Sequence, residues 1–430
     1  MKYGLFKNWR KLMKRLLAAI LVCVLAFGAV RAQEGQLEIF SWWAGDEGPA
    51  LVALIELYRE ANPGVEVINA TVTGGSGVNA RAVLKTRMLG GTPPDSFQVH
   101  AGEELTGTWV VAGRMEDLTF LYEEEGWFDA FPQSLIDLIT YEGGIYSVPV
   151  NIHRSNVMWF NPSKIAEWGI EVPKTWDEFL AICPTIQVQG VTPLVVGEAW
   201  TVNHLFESVA LAVLGPEGWN GIWTGETDPA GPEMIAVFNR FGEILACSNI
   251  AQDAAGLSWQ QAIDKVVDGS AAFNIMGDWA AGYMTTTLGL EPGVGFGYAP
   301  SPDTEGVFMW LSDSFGLPVG VAHRENTIAW LRLLGSVEGQ NAFNPLKGSI
   351  PARIDAVDAA PELYNAYLQD AAADWASNVL VGSLVHGTAA NERFMGDFNQ
   401  VMEIYLASGS AEAAATAMSV ICVQSGACGG

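Results

Sequence analysis

Leu37-Glu38-Ile39-Phe40-Ser41-Trp42-Trp43-Ala44-Gly45-Asp46-Glu47-Gly48-Pro49 decides how the rest of the chain is read. Leu37 to Ser41 has the length and apolar content of a short buried strand. Pro49 stands where a helix would open, because its fixed φ suits the first turn and its missing N–H costs nothing there. Leu51, Leu54, Ile55 and Tyr58 then share one helical face. Val65 to Thr73 repeats the strand, Asn79 to Leu89 the helix, and Ser96 to Val99 follows the Pro93-Pro94 break as a third strand. This alternation predicts an open α/β sheet, in which ligands lie beyond the carboxyl ends of the strands. Chemistry is therefore sought in the residues that follow each strand.

Outward from that stretch the pattern continues. Asn156 to Phe160 and Ala271 to Met276 read as strands, and Trp176 to Ile182, Asn203 to Leu214 and Trp259 to Val267 as helices. Tyr298 to Leu317 is extended and punctuated by Gly and Pro. Asn326 to Leu334, Glu362 to Ala373 and Phe398 to Ala407 are helical in period. Neither a repeat nor a low-complexity linker interrupts the 430 residues, so a two-domain chain of this kind must cross between its domains more than once.

Half of the residues are hydrophobic, and 48 Asp and Glu face 22 Lys and Arg, for a formal charge of −26. That apolar content excludes a disordered chain. The acidity, with no clustered Lys/Arg face, argues against nucleic acid and anionic lipid as partners, and a neutral or cationic ligand fits better. The basic start Lys2 to Arg15, the apolar run Leu16 to Val30 and the small residue Ala32 predict a secretory signal peptide over residues 1–32. The run is shorter than the ~20 residues of a spanning helix. Val22 before Cys23 argues against lipid attachment there. Export into an oxidising compartment makes Cys183, Cys247, Cys422 and Cys428 disulfide candidates, with Cys183–Cys247 and Cys422–Cys428 the favoured pairs of three possible pairings. The sequence has neither CxxC nor HExxH, so no metal is expected.

Several constellations could carry function. Trp42 and Trp43 are adjacent in extended chain and point to opposite sides, so they cannot both fill one core face. Either one is core and one surface, or they form a platform for stacking a ligand, with Glu47 close by. Thr73-Gly74-Gly75-Ser76-Gly77-Val78-Asn79-Ala80 is close to a dinucleotide fingerprint, but Asp95 opens the next strand instead of ending it. A plain helix start, offering amides to a polar ligand, fits better, and no cofactor is expected. Gln98 and His100 share a face at the end of the third strand. Asp278-Trp279 ends the strand Ala271 to Met276, with Trp259 upstream. Asp313, Lys347 and His386 are single polar residues in apolar or glycine-rich surroundings. Each alone reads equally well as structural. Gathered in one cleft they would offer carboxylates, an ammonium and imidazoles beside indoles, the mixture that sugar hydroxyls and the apolar face of a pyranose require.

The segments Asp268 to Trp279 and Asn344-Pro345-Leu346-Lys347-Gly348-Ser349-Ile350-Pro351 resemble the periplasmic sugar-binding proteins of bacterial ABC importers. Ile39 to Glu47 and Phe97-Gln98-Val99-His100-Ala101-Gly102 are similar to the branch that binds glucose and related aldohexoses. The resemblance implies an α/β fold of two lobes, the type II periplasmic-binding-protein clamp, each lobe a central sheet flanked by helices with ligand between them. It implies one lobe of 33–148 plus 300–346 and another of 149–299 plus 347–430. The sugar contacts it implies are Trp42, Trp43, Glu47, Gln98, His100, Trp259, Asp278, Trp279, Asp313, Lys347 and His386. Implied too are a monomeric, non-enzymatic protein of the periplasm, a monosaccharide ligand and the transmembrane subunits of an ABC permease as partners. A secreted glycosidase is the alternative, since it too would hold indoles and carboxylates in a cleft.

Overall fold

The computed structural model describes residues 34–74 and 77–429. The expected signal segment, Cys23, and Gly75 and Ser76 of the glycine-rich turn lie outside the described residues. Strands run in chain order as β1 (Gly35–Phe40), β2 (Val65–Asn69), β3 (Ser96–His100), β4 (Val148–Pro149), β5 (His153–Arg154) and β6 (Val157–Phe160). They continue as β7 (Thr192–Leu194), β8 (Ala271–Ile275), β9 (Gly297–Pro300), β10 (Val307–Leu311), β11 (Asp313–Gly316) and β12 (Val379–Gly382). The helices that matter for the site are α1 (Gly48–Ala61), α2 (Val78–Gly90), α3 (Trp176–Gln187), α4 (Ala199–Thr224), α5 (Pro232–Leu245), α6 (Trp259–Asp268), α7 (Val337–Lys347) and α8 (Glu392–Ser408).

The first strand and helix form where the opening stretch places them. Leu37 and Ile39 are fully buried, and α1 turns Leu51, Leu54, Ile55 and Tyr58 into the core. One sheet has the order β2-β1-β3-β11-β4, its first three strands parallel and β11 antiparallel to both β3 and β4. A second has the order β9-β6-β8-β7, and a small third joins β12, β10 and β5. The two larger sheets, each with its helices, make two lobes, and the small sheet lies at the crossings between them. The chain leaves the first sheet at β4 to enter β5, and returns from β10 to β11 across Ser312. His153 and Asp313 therefore sit on the crossings themselves. Cys183 of α3 is bonded to Cys247, just past α5, and Cys422 to Cys428, the pairs favoured from sequence.

Some elements differ from the sequence reading. The second strand stops at Asn69 instead of Thr73, and the helix expected over 203–214 runs from 199 to 224, broken at Gly215, where φ is 67°. Helices α5 and α7 and the helix Ala411–Ser425 were not delimited from the sequence.

Candidate functional site

A small cavity between the lobes is lined by Trp42, Trp43, Glu47, His100, His153, Trp279, Leu311, Asp313, Lys347 and His386. Eight of these are sequence candidates, brought together from six stretches of chain. Trp42 and Trp43 follow β1 and both are buried, so neither is the surface tryptophan that one reading allowed. Trp43 packs on Phe315 of β11 and Phe343 of α7, while Trp42 leans on His100 with ring centres 5.1 Å apart. The glycine turn explains how Trp42 is seated. Gly77, at φ 92°, would place a Cβ only 3.0 Å from the indole, so a side chain there would push the ring away.

Asp313 is the floor. Its carboxylate accepts from Gln98 Nε2 at 2.7 Å and Asn151 Nδ2 at 2.9 Å. Gln98 in turn accepts from Ser41 Oγ and the Trp42 amide. Gln98 thus lies beneath the cavity and orients Asp313 instead of lining the space. The His100 and His153 Nε2 atoms stand 3.8 and 3.7 Å from the two Asp313 oxygens. Those gaps are too long for direct hydrogen bonds and are open to an intervening hydroxyl. Lys347 caps the opposite side, its Nζ 2.7 Å from Glu47 Oε1 and within 6.0 Å of the Trp43 and Trp279 ring centres.

Each of the three lining histidines is held from behind through Nδ1. His100 donates to Glu104 at 2.7 Å, His386 meets Ser383 Oγ at 2.9 Å, and His153 meets Asp278. Burial raises the Glu104 carboxyl, but His100 and Arg81 outweigh it and hold it below its ordinary range, so it accepts the His100 proton. The His153–Asp278 pair is arranged the other way. Burial pushes Asp278 well above the carboxylate range, and burial plus the Lys347 charge pulls His153 well below neutrality. Asp278 Oδ2 already accepts the Arg154 amide, which leaves Oδ1 to carry the proton and donate it to His153 Nδ1. His153 then turns an Nε2–H toward the cavity, an atom without a partner in the protein. That imidazole can donate to a hydroxyl.

Asp278 accordingly does not reach the cavity; it sits behind His153, fully buried. Trp259 is also outside it, flanking Asp46, Glu47 and Trp279. Next to Trp259, Gln260 donates to Asp46 Oδ2 at 2.8 Å and ties α6 to the turn after β1, so the lobes are closed. The central cavity encloses about 20 Å³ in this state, room for a water and not for a pyranose. Any larger ligand must enter with the lobes parted.

His153 and Leu311 are the lining residues that sequence reasoning missed. Asn151 and His153 alternate onto one face of extended chain, a visible period of two that would have named both. Among the described residues, His204, Glu207 and His386 form the group with metal-ligand chemistry, their donor atoms lying within 4.8 Å of one another. Glu207 is already filled by Ser155, Ser383 and the amides of Leu384 and Val385, and burial pushes it up to about 7. His204 Nε2 faces the Ser155 carbonyl, so its bare Nδ1 meets Glu207 Oε1 at 3.4 Å, a contact that suits a protonated carboxyl. The group reads as a hydrogen-bonded prop behind His386.

If Asp278 is a proton donor to His153, asparagine can replace it, giving Nδ2–H to the imidazole and accepting from the Arg154 amide. Asp278→Asn is expected to keep ligand affinity within about threefold. Asp278→Ala, which leaves a buried imidazole nitrogen unpartnered at roughly 1–3 kcal/mol, should lose about ten- to a hundredfold. Titration calorimetry on the two variants checks this. Equal losses would remove the proton assignment.

A family model described as bacterial extracellular solute-binding protein matches residues 43–341. An uncharacterised ABC transporter extracellular-binding protein of Pyrococcus horikoshii is 33% identical, over 93% of each chain. A probable sugar-binding periplasmic protein of Brucella suis is 30% identical, over 88% of this chain and 90% of its own. Among solved structures, the solute receptor AcbH, described as exclusive for β-D-galactopyranose, superposes with a TM-score of 0.79 at 18% identity, covering 92% of this chain and 99% of that one.

Proposed function

The chain belongs to the family of bacterial extracellular solute-binding proteins, and from that premise we propose that it is the binding component of an ABC-type sugar importer. In this reading it takes a neutral aldohexose in the periplasm, glucose first and galactose or mannose next, and delivers it as a monomer to a membrane permease. The observation that carries the reading is the cavity itself. Asp313, three imidazoles and an ammonium converge on a space walled by three indoles, which matches the hydroxyl rim and apolar faces of a pyranose. The roles of Trp42, Trp43, Glu47, His100, Trp279, Asp313, Lys347 and His386 as direct contacts belong to the proposal. So do those of Gln98 and Asp278 as supports and of Trp259 as a flank. That the Brucella relative is called sugar-binding and AcbH takes a galactopyranose supports the ligand class.

The lobes proposed are 33–148 plus 300–346 and 149–299 plus 347–430. Strand pairing favours moving the second crossing to Ser312, since β10 pairs with β5 and β12 while β11 pairs with β3 and β4. Packing of α7 on α1 favours keeping Lys347 with the first lobe. A sugar touching Trp42 on one lobe and Trp279 on the other would stabilise closure by its differential affinity for the closed state. Closure is then the signal that a permease reads.

Titrating the protein with hexoses while following tryptophan fluorescence and heat tests this. Saturable binding with no change in the sugar, and no release from aryl glycosides, is expected. Turnover would replace the reading with a glycosidase, and silence toward every hexose at millimolar concentration would sink the small-sugar assignment.

A further inference from the structure

We propose that Glu207, which does not reach the cavity, sets the polarity of the hydrogen bond that the cavity offers at His386. Acting through Ser383, it holds the imidazole in the tautomer with the proton on Nδ1, so that Nε2 faces the ligand as an acceptor. This rests on the sugar reading above, in which His386 is a contact, and adds which kind of group His386 selects and what decides that.

The tautomer follows from where one proton goes. Ser383 Oγ has the His386 amide at 3.3 Å, His386 Nδ1 at 2.9 Å, and the two Glu207 oxygens at 3.0 and 2.9 Å. The amide can only donate to it, so the hydroxyl proton goes either to Glu207 or to Nδ1. Glu207 has the stronger claim. Its Oε2 draws in the amides of Leu384 and Val385, at 2.9 and 3.0 Å, and its Oε1 the Ser155 hydroxyl at 2.6 Å. His204 Nε2 gives its proton to the Ser155 carbonyl at 2.9 Å, which leaves Nδ1 bare beside Oε1 at 3.4 Å to take a carboxyl proton when there is one. Charged or neutral, Glu207 thus accepts from Ser383. A bare His386 Nδ1 would then set two lone pairs 2.9 Å apart, so Nδ1 carries the hydrogen. Burial, with the imidazoles and Arg81 around it, pulls His386 well below its ordinary range and keeps it neutral. Nε2, the nitrogen that Ser383 does not take, is therefore a lone pair, left for what enters the cavity that His386 lines. His153 offers a proton there, and His386 asks for one.

Folding alone does not call for a carboxyl at this position. Glu207 is fully buried, and a buried carboxyl costs more than the amide of a glutamine, whose carbonyl would hold the Leu384 and Val385 amides equally well. What glutamine would not do is accept from Ser383. Its NH2, standing at Oε1, would donate to that hydroxyl, turn the Ser383 proton onto His386 Nδ1, and present an Nε2–H to the ligand.

Nitrogen NMR of the imidazoles in labelled, sugar-free protein reads the tautomer directly, with His386→Gln to assign the signal. The parent is expected to carry the His386 proton on Nδ1, and Glu207→Gln to move it to Nε2. Calorimetry with glucose, galactose and their singly deoxyfluorinated analogues reads the consequence, because fluorine cannot donate. At one ring position the parent should prefer hydroxyl to fluorine by about tenfold, and Glu207→Gln should bring that preference down to about twofold while the positions held by Asp313 keep theirs. The inference is overturned if the parent carries the proton on Nε2 or on both nitrogens. It is overturned equally if Glu207→Gln leaves the tautomer in place, or weakens the hexose and every analogue alike, the mark of a structural support. The parent spectrum decides even where the variant fails to fold. Absence of heat with every sugar would instead overturn the reading on which the inference rests, and the spectrum would still test the relay.

Discussion

Lys347→Ala and Asp313→Ala are each expected to weaken hexose binding by a hundredfold or more, the largest effects of any single change at the site. Lys347 is 4% exposed, and its ammonium touches Glu47 while lying over two indoles. Removing it takes away a charge-assisted donor and leaves the Glu47 carboxylate among apolar walls. Breaking a buried pair by deleting one partner costs about 3–5 kcal/mol. Glu47 is 18% exposed and keeps some water, so a stability loss of about 3 kcal/mol is the better figure. Asp313→Ala orphans two amides at once, Gln98 and Asn151, besides deleting the acceptor at the floor. Calorimetry gives the affinity, and denaturant titration separates the stability loss from the binding loss. Parental affinity in both variants would show that the sugar lies elsewhere.

Breaking the Cys183–Cys247 disulfide should cost about 4 kcal/mol, and breaking Cys422–Cys428 about 2 kcal/mol, on the loop-entropy estimate. The difference follows from the separations, 64 residues against 6. The long bridge ties α3 to the end of α5 across the second sheet's edge, where both sulfurs are buried. The short one restrains only the last turns of the chain. Guanidinium unfolding of the two double Cys→Ala variants, with the reduced parent alongside, measures both. If the short bridge matters as much as the long one, chain entropy is not what these bonds contribute.

The opening strands and helices were legible because their apolar residues keep period, and the glycines, prolines and tryptophans between them mark where strands end. The indoles and Asp313, Lys347 and His386 stood out as polar or bulky residues in surroundings that did not ask for them. What sequence could not supply was depth. Gln98 and Asp278 are chemically suited to a sugar, yet they sit one layer back, because β11 and β5 come between them and the cavity from distant parts of the chain. Helix α7 was missed for a local reason. Pro345 lies in its last turn and Gly348 ends it at φ 79°, so Asn344-Pro345-Leu346-Lys347-Gly348 has the composition of a loop. The polar residues Gln340 and Asn344 are buried there because they bind the carbonyls of Pro149 and Val150, partners invisible to periodicity.

The order β2-β1-β3-β11-β4 carries a consequence for the way this chain comes off the ribosome. Strand β4 has no neighbour in its sheet except β11, which is synthesised about 160 residues later. At ~5–20 residues per second, the edge of β3 and the whole of β4 wait roughly ten to thirty seconds for the strand that joins them. Until then the nascent first lobe holds an incomplete sheet with an open edge, prone to pair with other chains.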